Sequence, residues 1–327
     1  MADTHKTTID KQTAVVGVLL GGFSPERAIS LKSGHAVHAA LTRRGYNAVE
    51  IDVGADLPGQ LVKHGVTVCW LALHGIIGED GCVQGLCEVM RLPYTGSGVH
   101  GSAVAMDKVA TKRTLRGLGI PLPADRVWHV GDPFPDDLVF PVMAKTPEGG
   151  STLGIKKCHD PGELESALLY CTGFAPEVLL EQFVAGDEIT VAVLYGEPLP
   201  VVSIVPHTEF FDFEAKYQKG MTTYVAPAPI APTIAAAAQC YAKLAYEALH
   251  LSGVARADFI VDKDGTPWFL EINTLPGMTE TSLSPMAAAV VGMTFDDLVE
   301  RLLLGARLHV NVAVNPTPGA PDARAHE

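Results

Sequence analysis

The sequence has no basic run, no two cysteines spaced as CxxC, and no stretch near the roughly 18 to 20 uninterrupted apolar residues of a membrane span. Without a basic run, and with 24 Lys and Arg against 37 Asp and Glu for a net charge of −13, a phosphate-backbone binder is disfavoured, so no nucleic-acid partner is expected. The six cysteines stand at 69, 82, 87, 158, 171 and 240, too scattered for a disulfide framework or a structural zinc site, and are read as reduced, mostly buried thiols. No membrane partner is expected either. The opening segment, Met1 to Thr13, lacks the apolar core of a signal peptide, and a cytoplasmic location follows as an expectation. Only 19% of residues are charged while 47% are hydrophobic, and the mean hydropathy is +0.21, which excludes a disordered chain. At about 150 residues per domain, 327 residues call for more than one core.

What is present begins with an apolar, β-branched run from Ala14 to Leu20, closed by Gly21-Gly22, the pattern of a buried parallel strand. A helical stripe of Leu31, Val37 and Leu41 follows within residues 30–44, with Gly45 as its stop. Further strands are expected at 48–53 and 66–73, the latter ending in His74-Gly75, where ligand loops of open α/β sheets lie. Pro121, Pro123, Pro133 and Pro135 then interrupt any regular element and mark a domain change. Beyond it the pattern turns antiparallel, with strands at 142–145, 178–183, 188–195 and 201–205, then an alanine-rich helix over 233–251. The tail from Asn315 is Pro, Ala and Gly with charges and is expected to be disordered.

The segment from Val254 to Asn273 carries the most chemistry. Asp264-Gly265 between two apolar runs signals a two-residue hairpin turn, which fixes the register so that Asp258 faces Glu271 and Arg256 faces Asn273. Alternation then puts these four side chains on one face, with Phe259, Val261, Trp268, Leu270 and Ile272 on the core face. Opposed carboxylates repel unless a cation lies between them. Such oxygen ligands suit Mg²⁺ or Mn²⁺ bridging to phosphates; a solvated polar face with Arg256 neutralising both acids is the competing reading. Gly277, just downstream, offers an amide with no Cβ to shield it.

A second candidate is the loop from Lys145 to Gly154, rich in small residues that let backbone N–H groups wrap a phosphate. It is neither a P-loop nor a GxGxxG fingerprint, so a dinucleotide-dependent oxidoreductase rests only on the βαβ opening. Lys145 and Lys108 are placed to reach phosphates. The segment from Thr208 to Tyr217 mixes aromatics and charges as a lid does, or as an ordinary surface loop does. His74 reads by itself as a hydrogen-bonded turn histidine.

Taken together, and in this order along the chain, these pieces resemble the D-alanine–D-alanine ligase family of the ATP-grasp superfamily. The resemblance runs from about Ala14 to Leu304 and rests on the segments Leu19 to Arg27, Leu73-His74-Gly75 with Gly78-Glu79-Asp80-Gly81, Tyr94 to Gly98, Met106-Asp107-Lys108, the Lys145 loop, Glu214-Ala215-Lys216-Tyr217, and Glu271 to Thr279. It implies a mixed α/β and α+β ATP-grasp fold. An N-terminal Rossmann-like parallel-sheet domain would span 1–120, a small central antiparallel α+β domain 121–206, and a C-terminal α+β domain 207–314 with a lid at about 207–224, before the tail at 315–327.

The activity implied is ATP-dependent joining of two D-alanines through an acyl phosphate, for peptidoglycan precursors of the cell wall. The implied site follows motif by motif. Asp258, Glu271 and Asn273 would hold two Mg²⁺ or Mn²⁺ ions. Lys108, Lys145 and the lid's Lys216 would reach the nucleotide phosphates, and Glu181 and Glu188 the adenine and ribose. Glu26, with His74 nearby, would take the ammonium of the first D-alanine and Ser282 the carboxylate of the second. Arg256 and the Gly277 amide would stabilise the oxyanion. A triad of Glu26, Ser151 and Tyr217 would couple the N-terminal loop, the glycine loop and the lid. A homodimer is also implied.

Two departures stand out: Ile76-Ile77 occupy positions where the family more often has Arg-Gly, and Phe213 one where tyrosine is common. Tyr217 favours an amine as the second substrate over the hydroxyl of a depsipeptide-forming relative. A regulatory module that binds nucleotide without turnover is the remaining alternative, opposed by the full complement of acids, lysines and arginine.

Overall fold

A computed structural model of the chain describes residues 9–149, 154–206 and 222–310, so Ser151, Lys216 and Tyr217, the lid segment up to 221, Phe213 and the tail lie outside the described residues. The first sheet is parallel, in the order β2-β1-β3, with β1 (Val15–Leu20) flanked by β2 (Asn47–Asp52) and β3 (Val68–Leu71). A central parallel strand is covered on both faces, which is why β1 is apolar at nearly every position. Helix α1 (Arg27–Arg43) starts three residues before the expected stripe and lays Ser30, Ser33, Gly34, Val37, Ala40 and Leu41 inward. Gly34 is what lets it lie so close, because a Cβ there would stand 2.4 Å from that of Leu20. Helices α2 (Leu57–Lys63), α3 (Cys82–Met90) and α4 (Val99–Met106) follow, and Asp107 caps α5 (Lys108–Leu115) by accepting from the amides of Val109 and Ala110.

The second sheet is antiparallel, in the order β4-β7-β5-β6, built from β4 (Asp125–His129), β5 (Val142–Lys145), β6 (Ile155–Cys158) and β7 (Glu177–Gln182), with α6 (Pro161–Cys171) against it. Strand β4 corrects the sequence reading, which expected the four prolines to leave no regular element there. It fits between Pro123 and Pro133 as an edge strand, where flanking prolines remove no ladder bond.

The third sheet joins β8 (Asp187–Leu194), β10 (Val202–Pro206), β11 (Thr222–Val225), β12 (Val254–Val261) and β13 (Pro267–Asn273) in the order β11-β10-β8-β12-β13, with β9 (Glu197–Pro198) paired to β8. Sheet membership therefore changes between Gln182 and Asp187, upstream of the boundary expected at 206. On one face, Val191, Val193, Ala257, Phe259, Phe269 and Ile272 pack on Ala238, Ala242 and Ala245 of α7 (Pro232–Ala248). On the other face, Ala192, Leu194, Val202 and Val254 join a core shared with α1, β1, β3, α8 (Leu283–Val290) and α9 (Phe295–Leu304). One hydrophobic cluster thus fastens the first sheet to the third.

The β12–β13 hairpin confirms the expected pairs at its open end, with Arg256 opposite Asn273 and Asp258 opposite Glu271. Nearer the tip the register differs by one, so that Phe259 faces Phe269 and Val261 faces Pro267. Two local features cause this. The connection is a three-residue loop, closed by Asp262 and Thr266, with Gly265 in the left-handed region at φ +83 and its amide donating to the Asp262 carbonyl. The extra loop residue is cancelled by a bulge at Leu270. Phe269 therefore takes the core position expected for its neighbours, while Trp268 and Leu270 are only half-buried; the Trp268 indole donates to Asp262 Oδ2 at 2.8 Å.

A charged seam adds to the apolar one. Arg43 and Arg44 at the end of α1 pair with Asp296, Asp297 and Glu300 of α9, and Glu300 also takes Tyr46 Oη at 3.0 Å and Lys11 at 2.7 Å. The chain end described here is clipped to α3, where Glu88 accepts from the amides of His309 and Val310 at 2.7 and 3.3 Å.

Candidate active site

At the open end of the hairpin, the side chains chosen from the sequence do converge. Asp258 lies between Thr190 on β8 and Glu271 on β13, in register with both. It is 5% exposed, and each of its two oxygens accepts two hydrogen bonds: Oδ1 from Thr190 Oγ1 at 2.6 Å and Arg256 Nε at 2.9 Å, Oδ2 from Arg256 Nη2 at 2.8 Å and Asn273 Nδ2 at 3.2 Å. Glu271 instead faces Lys108 at 3.4 Å. Arg256 thus pairs with Asp258, with no ion pair to Glu271 among the described residues, and the strip is buried at Asp258 rather than being a solvated polar face.

Among the described residues no three His, Cys, Asp or Glu side chains gather as a metal cluster. The donor set is two carboxylates and an amide, hard oxygen ligands too few for a closed site. That composition fits Mg²⁺ or Mn²⁺ whose remaining positions go to phosphate and water.

Glu188 lies on β8 two residues from Thr190, hence on the same face, opposite Ile204 and Ile260. Glu181 does not belong to that face: it sits on β7 of the second sheet, 2% exposed, with one carboxylate oxygen on Lys145 and the other on Lys112. Burial alone would raise its pKa, but the charges of Lys145 and Lys112 and their hydrogen bonds outweigh it and hold the carboxyl below its ordinary value. Lys112 is a residue the sequence reading missed. It is 2% exposed and also donates to the Pro123 carbonyl at 2.9 Å and faces Asp125 at 3.4 Å. Its only signal was a position four after Lys108, which places both on one face of α5. Lys108 itself ties the helix to the glycine loop, with Nζ donating to the Gly149 carbonyl at 2.7 Å.

The loop after β3 forms the third wall. His74 donates from Nδ1 to the Leu275 carbonyl at 2.9 Å, and its Nε2 takes the Ser33 hydroxyl at 3.1 Å, while Ser33 Oγ accepts the Met278 amide at 3.2 Å. Burial lowers the His74 pKa despite the opposing charge of Glu26, which favours the neutral ring with Nε2 as an acceptor. Glu26 stands at the start of α1, with its carboxylate so near Gly75 that a Cβ there would come within 2.7 Å of Oε2. Ser282 heads α8, its hydroxyl accepting the Thr279 amide at 3.0 Å; a Cβ on Gly277 would lie 3.1 Å from that hydroxyl, so this stretch is crowded by small groups.

Ile77, a departure noted in the sequence, has φ +70. The left-handed region costs an L residue about 1–2 kcal/mol and suits a β-branched side chain least. Its half-buried side chain recovers part of that against the core under α3. Ile77→Gly should therefore leave the melting temperature within a few degrees of wild type, and Ile77→Ala, which keeps the strain and loses the packing, should melt lower than Ile77→Gly. Thermal unfolding of the two variants decides it; alanine proving the more stable would remove the strain argument.

Known proteins are similar to this chain along most of its length. The family model described as D-ala D-ala ligase C-terminus matches residues 131–304, and that described as D-ala D-ala ligase N-terminus matches 56–97. The chain is 49% identical over 298 residues to a D-alanine–D-alanine ligase of Syntrophotalea carbinolica, covering 91% of this chain and 97% of that one. It is 42% identical over 314 residues to a ligase of the same name from Geotalea uraniireducens, covering 93% and 99%. The crystal structure of the Bacillus anthracis D-alanine–D-alanine ligase complexed with ATP superposes with a TM-score of 0.80 at 32% identity, covering 90% of this chain and 97% of that one.

Proposed function

Because the chain belongs to the D-alanine–D-alanine ligase family, we propose that its residues divide that family's reaction among three walls of one ATP-grasp site. The enzyme is an ATP-dependent ligase that joins two D-alanines into D-alanyl-D-alanine for peptidoglycan precursor synthesis. The γ-phosphoryl group passes to the carboxylate of the first D-alanine, giving an acyl phosphate and ADP. The amine of the second attacks the acyl carbon, loses a proton, and inorganic phosphate leaves as the peptide bond forms.

The observation that carries the residue assignment is the convergence of Asp258, Glu271 and Asn273 at one hairpin end, met from another element by Lys108. Those three side chains would hold two Mg²⁺ or Mn²⁺ ions, which supply charge neutralisation for phosphoryl transfer. Lys108 and Lys145 bind the phosphates, together with Lys216 of the lid. Glu181 and Glu188 take the adenine and ribose. Glu26 holds the ammonium of the first D-alanine beside the neutral His74, and Ser282 takes the carboxylate of the second. Arg256, oriented by its two bonds to Asp258, and the Gly277 amide donate to the oxyanion. Glu26, Ser151 and Tyr217 link the loops that exclude water from the acyl phosphate. We also propose a cytoplasmic homodimer; no described helix is long and apolar enough to cross a membrane. The three-part division of the chain is kept, with its second boundary drawn between Gln182 and Asp187 to follow the sheets.

A coupled assay tests the reading. ADP and phosphate should appear only when D-alanine is supplied with ATP and Mg²⁺, and D-alanyl-D-alanine should be the product. ATP binding with no ADP release under any amino acid would return the chain to a regulatory role, and a D-alanine–D-lactate product would overturn the amine acceptor.

A further inference from the structure

The loop after β3 contains a buried acid to which the reaction above gives no task. Glu79 is 8% exposed, and each of its carboxylate oxygens accepts one backbone amide: Oε2 that of Gly75 at 2.8 Å, Oε1 that of Leu275 at 3.0 Å. The other side of Leu275 is held by the same loop, because its carbonyl accepts from His74 Nδ1 at 2.9 Å. Leu275 is thus gripped at both its N–H and its C=O by residues five apart in one loop.

The two anchored positions matter for what they adjoin. Leu275 lies two residues after Asn273 and two before Gly277. Gly75 lies against the Glu26 carboxylate. A single side chain therefore fixes the distance between the pocket for the first D-alanine and the strip that carries the metal ligand and the oxyanion amide.

For stability alone, a carboxylate is a costly choice here. No lysine or arginine forms an ion pair with it among the described residues; burial, with the like charge of Glu26, pushes its pKa up to about 7, against a smaller opposing pull from its two amide bonds and from Arg256. A buried acid in that position costs folding free energy that a neutral group would not. What a carboxylate has and an amide lacks is two oxygens that both accept.

We propose that Glu79 is a positioning residue of the ligase, a two-oxygen clamp that sets the Asn273–Gly277 segment against Glu26 and His74. The inference rests on the ligase reading and deepens it. Gln in its place can accept from only one of the two amides and turns an N–H₂ group toward the other. In Glu79→Gln, the D-alanine KM for the first site should rise at least about tenfold and kcat should fall by a similar factor, with the ATP KM within twofold of wild type. Glu79→Asp, which keeps both acceptors at shorter reach, should recover part of the loss, and it serves as the test variant should Gln fail to fold. Hydrogen exchange followed by mass spectrometry on the full chain should show faster exchange at Leu275 and Gly75 in the Gln variant. A lower melting temperature with unchanged KM and kcat would make Glu79 merely structural and overturn the proposal. The exchange measurement reads the clamp even if wild type shows no turnover with D-alanine: equal protection of Leu275 in both proteins overturns the clamp, whereas lost protection upholds it and leaves the failure with the ligase reading.

Discussion

Glu271→Gln is expected to lower turnover by about 10³-fold or more while the protein stays folded, since under the proposed assignment it takes charge and a metal ligand from the phosphoryl-transfer site. The substitution is nearly isosteric. Glu271 is 25% exposed and its contact with Lys108 is 3.4 Å long, but Lys108 is itself buried, so a thermal melt must be read beside the rate. The near-isosteric change and the melt together separate activity from stability at this position. The same cannot be said of Asp258, whose buried oxygens take bonds from Thr190, Arg256 and Asn273; there a loss of activity would be confounded with a loosened sheet. Steady-state rates and a thermal melt of Glu271→Gln decide the matter together. Turnover within tenfold of wild type would remove Glu271 from the metal site and with it the meaning of its register opposite Asp258.

Lys112→Met should be the most destabilising single change in the central part of the molecule. It removes one of the two lysines on Glu181 and leaves that buried carboxylate, and the Pro123 carbonyl, short of a donor. Breaking a buried ion pair from one side costs about 3–5 kcal/mol, far more than the apolar replacement of both partners would. A second effect follows on the nucleotide. With Lys112 gone, Glu181 has Lys145 as its remaining lysine, which holds Lys145 more firmly away from a phosphate; the ATP KM should rise while that of D-alanine stays near wild type. Urea denaturation and the two Michaelis constants measure both. A denaturation midpoint unchanged from wild type would show that Lys112 is not needed to hold Glu181 ionised.

The register at the acidic end of the hairpin was more legible than that at its tip, for physical reasons. Carboxylates on a short hairpin announce themselves, since alternation and a turn signal are enough to put Asp258, Glu271 and Asn273 on one face. The bulge at Leu270 was not legible, because Trp268-Phe269-Leu270 is a continuous apolar run in which a shift of one residue leaves the pattern unchanged. Strand β4 escaped because prolines were weighed as breakers, although on an edge strand they flank without interrupting. Lys112 and Glu79 escaped for another reason: their worth lies in what they hold, Glu181 and Leu275, and those partners are 69 and 196 residues away in sequence. Glu181 was assigned to the nucleotide from the resemblance; its placement between two lysines came only with the sheet.

The paired irregularities of the hairpin have a consequence for how such a chain tolerates change. Loop and bulge each shift the pairing by one, in opposite senses, so the bulge works as an expansion joint between the tip and the acidic end. A chain one residue shorter at the tip reaches the same arrangement of Asp258, Glu271 and Asn273 by flattening the bulge, with Leu270 moving into the core seat that Phe269 fills here. Length variation at the tip is thereby absorbed before it reaches the carboxylates.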